Sequence, residues 1–82
     1  MQVEIKYVCS VILGPLRSGP YEIPEGSKIS DLLKTGLAKH PGRSYEDVKD
    51  MLIFLRNGKP ALPDTALNEG DNVHMLLKVF GG

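Results

Sequence analysis

The first residues of the chain alternate between two sets of side chains. One set is largely apolar and comprises Val3, Ile5, Tyr7 and Cys9. The other set comprises Glu4, Lys6 and Val8. Since successive side chains of a strand point to opposite faces, residues 3 to 9 predict a β-strand with one buried face.

The apolar period changes to that of a helix between residues 29 and 40. Ahead of it, a loop rich in glycine and proline leads to a short predicted strand, Tyr21-Glu22-Ile23. Apolar side chains then recur at helical spacing, at Ile29, Leu32, Leu33 and Leu37. This pattern predicts a helix over residues 29 to 40, with Ser30 as its N-cap and Pro41-Gly42 as its end.

A second helical turn and another strand are predicted after this helix. Ser44 stands three residues before Asp47, which predicts a capping box that opens one or two helical turns. Residues 51 to 56 are apolar and β-prone. Asn57-Gly58 follows them and predicts a tight turn, because both residues tolerate positive φ.

The last part of the chain predicts one edge strand and one long strand. Residues 62 to 67 predict a short strand, which Pro60 and Pro63 confine to an edge. Residues 72 to 80 predict the final strand, which is followed directly by Gly81-Gly82.

The predicted order of elements defines a fold class. A hairpin, a helix that crosses back over it and a long final strand make an α+β sheet with its helix on one face. The β-grasp satisfies these constraints, with a mixed four- to five-stranded sheet and one main helix packed on one face. We expect residues 1–80 to form this single domain and residues 81–82 to form a flexible Gly-Gly tail.

Composition narrows the classes of function by exclusion. The ten basic and ten acidic side chains cancel, which gives no electrostatic case for nucleic acid or an anionic membrane as partner. One cysteine allows no intrachain disulfide, and with two histidines beside it we expect no metal site. Glu4 and Lys6 place charges where a signal peptide needs an apolar run, and no apolar stretch approaches the ~20 residues of a membrane span. We therefore expect a cytoplasmic protein.

Enzymatic chemistry by the chain itself is disfavoured. The sequence has no glycine-rich phosphate loop of the usual spacings, so we expect no nucleotide-binding site. Two histidines and one strand cysteine make no convincing Ser/His/Asp or Cys/His set. His74 lies on an alternating strand and is better explained as a surface residue than as a base. We therefore expect a non-enzymatic protein that binds no cofactor of its own.

The terminal pair Gly81-Gly82 has a chemical interpretation. Glycine lacks a side chain and takes unusual φ and ψ, so such a tail can thread a narrow active site. The Gly82 carboxylate could then attack the α-phosphate of ATP to form an acyl-adenylate. A sulfur donor that displaces AMP would leave a thiocarboxylate. In this hypothesis the chain supplies a substrate end, while a partner enzyme handles ATP and metal.

Several segments together resemble a known family. They are Asn57-Gly58-Lys59, residues 64 to 73, the closing Gly81-Gly82 and the helix start Ile29-Ser30-Asp31-Leu32-Leu33. Their order and spacing resemble those of the ubiquitin-like sulfur carriers. That family includes the small subunit of molybdopterin synthase and the sulfur carrier of thiamine biosynthesis.

The resemblance implies a reaction at the C-terminal residue. Gly82 would be adenylylated by a ubiquitin-activating-type adenylyltransferase, which uses ATP and Mg, and then thiocarboxylated from a sulfur donor, with Gly81 as the thread. A sulfur-accepting synthase subunit would receive the sulfur in molybdopterin or thiamine biosynthesis. The length is closer to the molybdopterin carriers, whereas residues 76 to 80 lack the prolines that often precede their glycines and look more like the thiamine carriers. The pathway therefore stays open.

Two other classes of function remain as alternatives. A ubiquitin-like protein modifier would be joined through Gly82 to lysines of target proteins. A plain β-grasp interaction domain would not need Gly81-Gly82 at all. The product separates the first two, because a carrier ends in a free thiocarboxylate and a modifier ends in an isopeptide bond.

The strand patterns also predict a surface for the partner. His74 and Lys78 are costly to bury unpaired, so their face of the last strand should point away from the helix, and Met75, Leu77 and Val79 should lie in the core. The same reasoning for residues 51 to 56 predicts that Leu52, Phe54 and Arg56 point outward. It places Met51, Ile53 and Leu55 in the core. The predicted partner-binding set is an apolar patch with a polar rim: Phe54, Leu76 and Phe80, with Arg56, His74 and Lys78.

Overall fold

The computed structural model describes residues 1–8, 16–38 and 44–78. Its strands are β1 (Gln2–Tyr7), β2 (Gly19–Glu22), β3 (Leu52–Arg56), β4 (Lys59–Ala61) and β5 (Asn72–Leu77). Its helices are α1 (Ile29–Ala38), α2 (Tyr45–Val48) and a 3₁₀ turn over Lys49–Met51. The predictions made for Cys9, for the helix end at Pro41-Gly42 and for residues 79 to 82 lie outside the described residues.

The strands form one mixed sheet in the order β2-β1-β5-β3-β4. The central strand, β5, pairs parallel with β1 and antiparallel with β3. The two outer strands pair antiparallel with their neighbours. α1 packs against one face of the sheet, which we call the helix face, and we call the other the open face. This arrangement confirms the predicted α+β fold with one main helix on one face.

The helix face carries the apolar core. α1 contributes the four residues that recur at helical spacing, and all are buried: Ile29, Leu32, Leu33 and Leu37. The three central strands contribute alternate residues: Val3, Ile5, Leu52, Phe54, Val73 and Met75. Burying a large apolar side chain contributes roughly 1.5–3 kcal/mol, so this set holds the helix on the sheet.

Capping residues set the starts of both helices, in one case differently from the prediction. Ser44 caps α2 as predicted, and its Oγ accepts the Asp47 N–H at 3.2 Å. α1 begins one residue before Ser30, so Ser30 lies inside the first turn and is not the N-cap. Lys28 precedes the helix, and its N–H donates to Asp31 Oδ2 at 2.9 Å. The Asp31 carboxylate thus accepts the N–H of the residue that precedes the helix, as the acidic residue of a capping box does. The Ser30 side chain is not needed to cap α1.

The tight turn predicted after β3 is confirmed, and the edge strand lies earlier in the chain than predicted. Asn57 and Gly58 have φ of 53° and 81°, as a tight hairpin turn requires. A tight turn brings the partner strand immediately after it, so β4 is the edge strand. The strand predicted over residues 62 to 67 is therefore wrong. Within that segment only Ala66 makes a β-bridge, to Lys28.

β3 presents the opposite faces to those predicted. Leu52 and Phe54 are 4% and 3% exposed and lie in the core, whereas Ile53 is 40% exposed. The prediction turned Arg56 outward because an unpaired charge is costly to bury, and Phe54 shares its face. Arg56 is in fact paired, since its Nε donates to Asp71 Oδ2 at 2.7 Å. That ion pair allows Arg56 to lie on the helix face at the end of β3. Each side chain of the strand therefore lies on the face opposite to the one predicted.

β5 presents the faces that were predicted. Met75 is fully buried, whereas His74 and Leu76 are only half-buried on the open face. Leu77 lies opposite the buried Leu52, on the helix face. It is nevertheless 43% exposed, so its placement in the core is wrong.

Candidate functional site

The open face of the sheet carries an apolar row across three neighbouring strands. Leu76 in β5 lies opposite Ile53 in β3, and the parallel register of β1 with β5 places Val8 on the other side of Leu76. The Val8 N–H donates to the Met75 carbonyl at 2.9 Å, which extends that pairing. Val8 is 49% exposed and Ile53 is 40% exposed. Because neighbouring strands lie about 4.8 Å apart, the three side chains form one contiguous surface.

Adjacent residues extend this row into a patch. Leu55 lies opposite His74, and Lys6 lies beside His74 in β1. Met51 is 41% exposed, and its carbonyl accepts the Lys78 N–H at 2.7 Å. We define the apolar patch as Val8, Met51, Ile53, Leu55 and Leu76, with Lys6, His74 and Lys78 at its rim.

The opposite end of the open face is polar. Glu4 lies beside Asn72, and Gln2 lies opposite Glu22. All four side chains are exposed. The apolar patch is therefore confined to the end of the sheet at which β5 finishes.

The predicted reactive group is close to this patch along the chain. Lys78 is the last described residue, and Gly82 follows four positions later. Four residues of backbone span at most about 14 Å, so Gly82 lies within that distance of Lys78. Gly81 and Gly82 themselves lie outside the described residues, and their predicted roles stay predictions.

The structure brings together part of the predicted partner-binding set. His74 and Leu76 share the open face, and Lys78 follows them at the end of β5. Phe54 and Arg56 lie on the helix face instead, for the reason given above. Phe80 lies outside the described residues.

Sequence reasoning missed four apolar residues of the patch. Val8 could have been found, because it is the apolar member of a side of the first strand that otherwise carries charges. Met51, Ile53 and Leu55 were predicted to lie in the core, and the sequence offered no signal against that prediction. Residues 51 to 55 are apolar at every position, and a pattern without alternation cannot say which face is buried.

A buried carboxylate lies at the far end of β5. Three donors converge on Asp71: Arg56 Nε at 2.7 Å, Asn57 Nδ2 at 3.0 Å and the Asn68 N–H at 2.8 Å. Burial alone would raise the pKa of Asp71, but these hydrogen bonds and the Arg56 charge outweigh it and hold the pKa below its ordinary value. Asp71 therefore stays ionised at neutral pH, and its contacts indicate a structural role rather than acid–base work.

A cavity of about 750 Å³ lies on the helix side of the sheet, between β2 and α1. Its lining includes Tyr7, Leu16, Tyr21 and Leu32. Burial raises the pKa of Tyr7 to about 12, and the neighbouring Tyr21 acts in the same direction. The Tyr7 hydroxyl is therefore protonated at neutral pH and offers no general base. The sheet separates this cavity from the apolar patch.

The described residues contain neither a metal-binding cluster nor a membrane-spanning helix. No three His, Cys, Asp or Glu side chains within them are grouped so that they could hold a metal ion. None of their helices has both the length and the apolar character needed to cross a bilayer. Each buried side-chain nitrogen and oxygen in this part of the chain has a hydrogen-bond partner.

Sequence comparison identifies the family. The model of the ThiS family matches residues 12–82. The chain therefore belongs to the ThiS family, whose members are β-grasp sulfur carriers, and this confirms the resemblance found in the sequence. No curated protein matches the sequence significantly.

Solved structures with the same fold agree with this assignment. The putative molybdopterin converting factor subunit 1 from Pyrococcus furiosus has a TM-score of 0.69 at 23% identity, over 96% of this chain and 99% of that chain. Small archaeal modifier protein 1 from H. volcanii has a TM-score of 0.68 at 22% identity, over 95% and 98%. A complex of subunits 1 and 2 of molybdopterin-converting factor from Helicobacter pylori contains a chain with a TM-score of 0.50 at 23% identity, over 100% of both chains. At these identities the likeness shows the fold alone, and it confirms the β-grasp.

Family and fold together place the chain among the small ubiquitin-like sulfur carriers. This class of protein is a carrier and is not itself a catalyst.

Proposed function

We propose that this chain is a sulfur carrier whose Gly82 carboxylate is converted to a thiocarboxylate. The observation that supports this most is the position of the apolar patch, which lies where β5 ends, at most about 14 Å of backbone from Gly82. A partner that docks on the patch is thereby brought next to the terminal carboxylate. The match of the family across residues 12–82 supports the same interpretation, because it includes the terminal glycines.

The proposed chemistry needs only a carboxylate from this chain. A carboxylate oxygen of Gly82 attacks the α-phosphorus of ATP, and pyrophosphate leaves. Hydrosulfide or an equivalent donor then attacks the acyl carbon, AMP leaves with the carboxylate oxygen, and a proton is released. A ubiquitin-activating-type adenylyltransferase would bind the ATP and Mg, and Gly81 would let the terminus enter its active site without a side chain in the way.

The apolar patch is the proposed docking surface for that enzyme. Contiguous exposed apolar side chains mark interaction sites, and burying them under a partner is favourable at roughly 25 cal/mol per Å². Lys6, His74 and Lys78 at the rim would orient the partner through polar contacts. Polar rims of this kind influence specificity and association rate more than affinity.

A synthase subunit is the proposed acceptor of the sulfur. The H. pylori neighbour is a complex of subunits 1 and 2 of molybdopterin-converting factor, and the P. furiosus neighbour is named as subunit 1. These names favour molybdopterin biosynthesis as the pathway. Thiamine biosynthesis is the alternative, because residues 76 to 80 resemble the ends of the thiamine carriers.

A ubiquitin-like modifier is the second candidate. The H. volcanii neighbour is named a small archaeal modifier protein, and its fold covers nearly all of this chain. In that case the same Gly82 adenylate would be attacked by a lysine amine of a target protein, and the product would be an isopeptide-linked adduct.

The experiment is a reconstitution with intact mass spectrometry. Purified chain is incubated with a ubiquitin-activating-type adenylyltransferase of the same organism, ATP, Mg and sulfide. We expect one oxygen to be replaced by one sulfur, with fragmentation placing the change at Gly82. The matched control lacks Gly81 and Gly82 and should keep its mass and its thermal midpoint.

Two results would contradict the proposal. The first is an unchanged mass when the same enzyme preparation thiocarboxylates another carrier. The second is an isopeptide-linked adduct as the main product in the presence of sulfide, which would favour the modifier.

A further inference from the structure

Two segments that resemble the sulfur-carrier family meet in space at the far end of β5. Asn57 belongs to the turn after β3, and Asp71 belongs to the turn before β5. Asn57 Nδ2 donates to Asp71 Oδ1 at 3.0 Å, while Arg56 Nε donates to Asp71 Oδ2 at 2.7 Å. The Asn68 N–H donates to the same Oδ2 at 2.8 Å. The two turns thus form one hydrogen-bonded unit around a buried carboxylate.

Backbone hydrogen bonds extend this unit to both neighbours of β5. The Asn57 N–H donates to the Asn72 carbonyl at 2.7 Å, and the Asn72 N–H donates to Asn57 Oδ1 at 2.9 Å. On the other side, the Glu4 N–H donates to the Asp71 carbonyl at 2.9 Å. The start of β5 is therefore held to the end of β3 and its turn by side chains and backbone, and to β1 by the backbone.

The register of β5 against β3 is not set by a hairpin turn, so it depends on contacts of this kind. Strands joined by a tight hairpin take their register from the turn, but β4 and the residues up to Asp71 separate β3 from β5. The alternation of apolar and polar side chains excludes a slip by one residue, because that would bury His74 and expose Met75. It does not exclude a slip by two residues, which leaves every side chain on its own face.

A slip by two residues would change the docking surface. Leu76 would lie opposite Leu55 or Met51 in place of Ile53, and the end of β5 would move by about 6–7 Å along β3. The row of Val8, Leu76 and Ile53 would be broken, and the start of the terminal segment would shift relative to the patch. The unit around Asp71 is compatible with the observed register alone, because its donors and acceptors are fixed to residues on both strands.

We propose that Asp71, held by Arg56 and Asn57, is a positioning residue that selects this register of β5 and thereby sets where the chain leaves the sheet beside the apolar patch. The selection of register stands on the hydrogen bonds alone. Its consequence for the reaction of Gly82 rests on the proposed function.

The first arm of the test measures register without any partner. Asn57→Gly keeps a residue that accepts positive φ and removes both side-chain hydrogen bonds, and Asp71→Asn removes the charge at nearly constant shape. Asp64→Asn, in the exposed loop after β4, is the matched control. Amide hydrogen exchange is followed at Glu4 and Asn72, next to the unit, and at Lys78, at the other end of β5.

We expect exchange at Glu4 and Asn72 to accelerate by about tenfold or more relative to Lys78 in both variants, and not in the control. We also expect the Hα–Hα contact between the facing residues Phe54 and Met75 to weaken in two-dimensional NMR spectra, since it reports the observed register. Equal acceleration at all three amides would mean general destabilisation and would overturn the proposal. Unchanged exchange would overturn it as well.

The second arm measures activation by the adenylyltransferase, at a temperature where circular dichroism shows each variant fully folded. We expect kcat/KM for adenylation of Asn57→Gly and Asp71→Asn to fall by about tenfold or more, and that of Asp64→Asn to match the parent. Rates equal to the parent in all three would overturn the positioning role. If the parent itself is not adenylylated, the proposed function fails, while the exchange measurements still decide whether Asp71 selects the register.

Discussion

At the scale of single residues, the contacts of Asp71 explain how a small domain keeps a charge in its interior. The residue is 6% exposed, and burial on its own would favour the protonated form. Arg56, Asn57 and Asn68 supply three donors to its two oxygens, so the ionised form is fully hydrogen-bonded. Removing one partner from such a group would leave the others unsatisfied, and this makes Asp71 sensitive to pH and to substitution.

The lowered pKa of Asp71 predicts the pH dependence of its contribution to stability. The unfolded chain binds the proton more tightly, at a pKa of about 3.9, than the folded state does. The contribution is therefore complete at neutral pH and is lost as the pH falls through the unfolded and then the folded pKa. Asp71→Asn should lower the free energy of unfolding at pH 7 by about 1–3 kcal/mol, and the difference from the parent should shrink in acid.

Urea unfolding of parent and variant from pH 7 downwards measures this difference directly. Asp64→Asn is the control, since its side chain is exposed. A difference that stays constant down to about pH 2 would show that the carboxylate charge contributes nothing.

At the scale of elements, α1 contains a glycine that its own propensity does not favour. Gly36 lies in the middle of the helix, where glycine costs about 1 kcal/mol relative to alanine. A Cβ at this position would lie 3.1 Å from Leu16 Cδ2 and 3.7 Å from the Tyr7 hydroxyl oxygen. The missing side chain therefore lets the segment before β2 pack closely on the helix. At this position the close packing of Leu16 on α1 outweighs the preference of the helix for a residue with higher helix propensity.

This packing predicts a coupling between Gly36 and Leu16. In the parent background, Gly36→Ala should change stability little, because the gain in helix propensity is offset by displacement of Leu16. In a Leu16→Ala background the obstructing atoms are absent, and Gly36→Ala should stabilise the protein by about 0.5–1 kcal/mol. Thermal or urea unfolding of the four proteins of this double-mutant cycle gives the coupling energy. Equal effects of Gly36→Ala in both backgrounds would contradict the steric explanation.

At the scale of the whole molecule, the sheet separates two tasks. Its helix face buries the core that stabilises the fold, and its open face changes from polar at the Gln2 end to apolar at the end where β5 finishes. In the proposed function the chain offers its terminus to a partner, so recognition and reaction must lie close together. The apolar patch would meet that need without using core residues, so the surface could be altered while the fold is kept.

Substitutions on the two faces of β3 test this separation. Ile53→Glu places a charge in the apolar patch at a side chain that is already 40% exposed. We expect it to weaken binding of the adenylyltransferase by tenfold or more, which is about 1.4 kcal/mol, and to change the thermal midpoint little. Phe54→Glu, one residue away on the other face, should unfold the domain because it buries an unpaired charge.

Leu62→Glu is the matched control for binding, since Leu62 is 67% exposed and lies in the loop after β4. It should bind the enzyme as the parent does. Calorimetric titration measures binding, and circular dichroism measures folding. If Ile53→Glu binds as tightly as the parent, the partner docks on another surface.

Local chemistry in the sequence determined much of this protein. The alternation in β1, the helical spacing of Ile29 to Leu37, the cap at Ser44 and the turn at Asn57-Gly58 each depend on neighbours a few residues away, and each was predicted correctly. The order of these elements was enough to predict the α+β class. The cost of burying His74 and Lys78 predicted the side of β5 that faces the helix. The family resemblance rested on the same short segments and was confirmed by the match over residues 12–82.

Only the tertiary structure decided which face of β3 is buried and where the apolar patch lies. Arg56 turns towards the helix face because Asp71, fifteen positions later, pairs with it. No window of local sequence contains both partners, and the apolar run before Arg56 fits either orientation. The pairing of β5 with β1 and β3 then brings Val8, Leu76 and Ile53 side by side. Contacts between strands that are distant in the chain carry this information, so the pattern within any one strand cannot contain it.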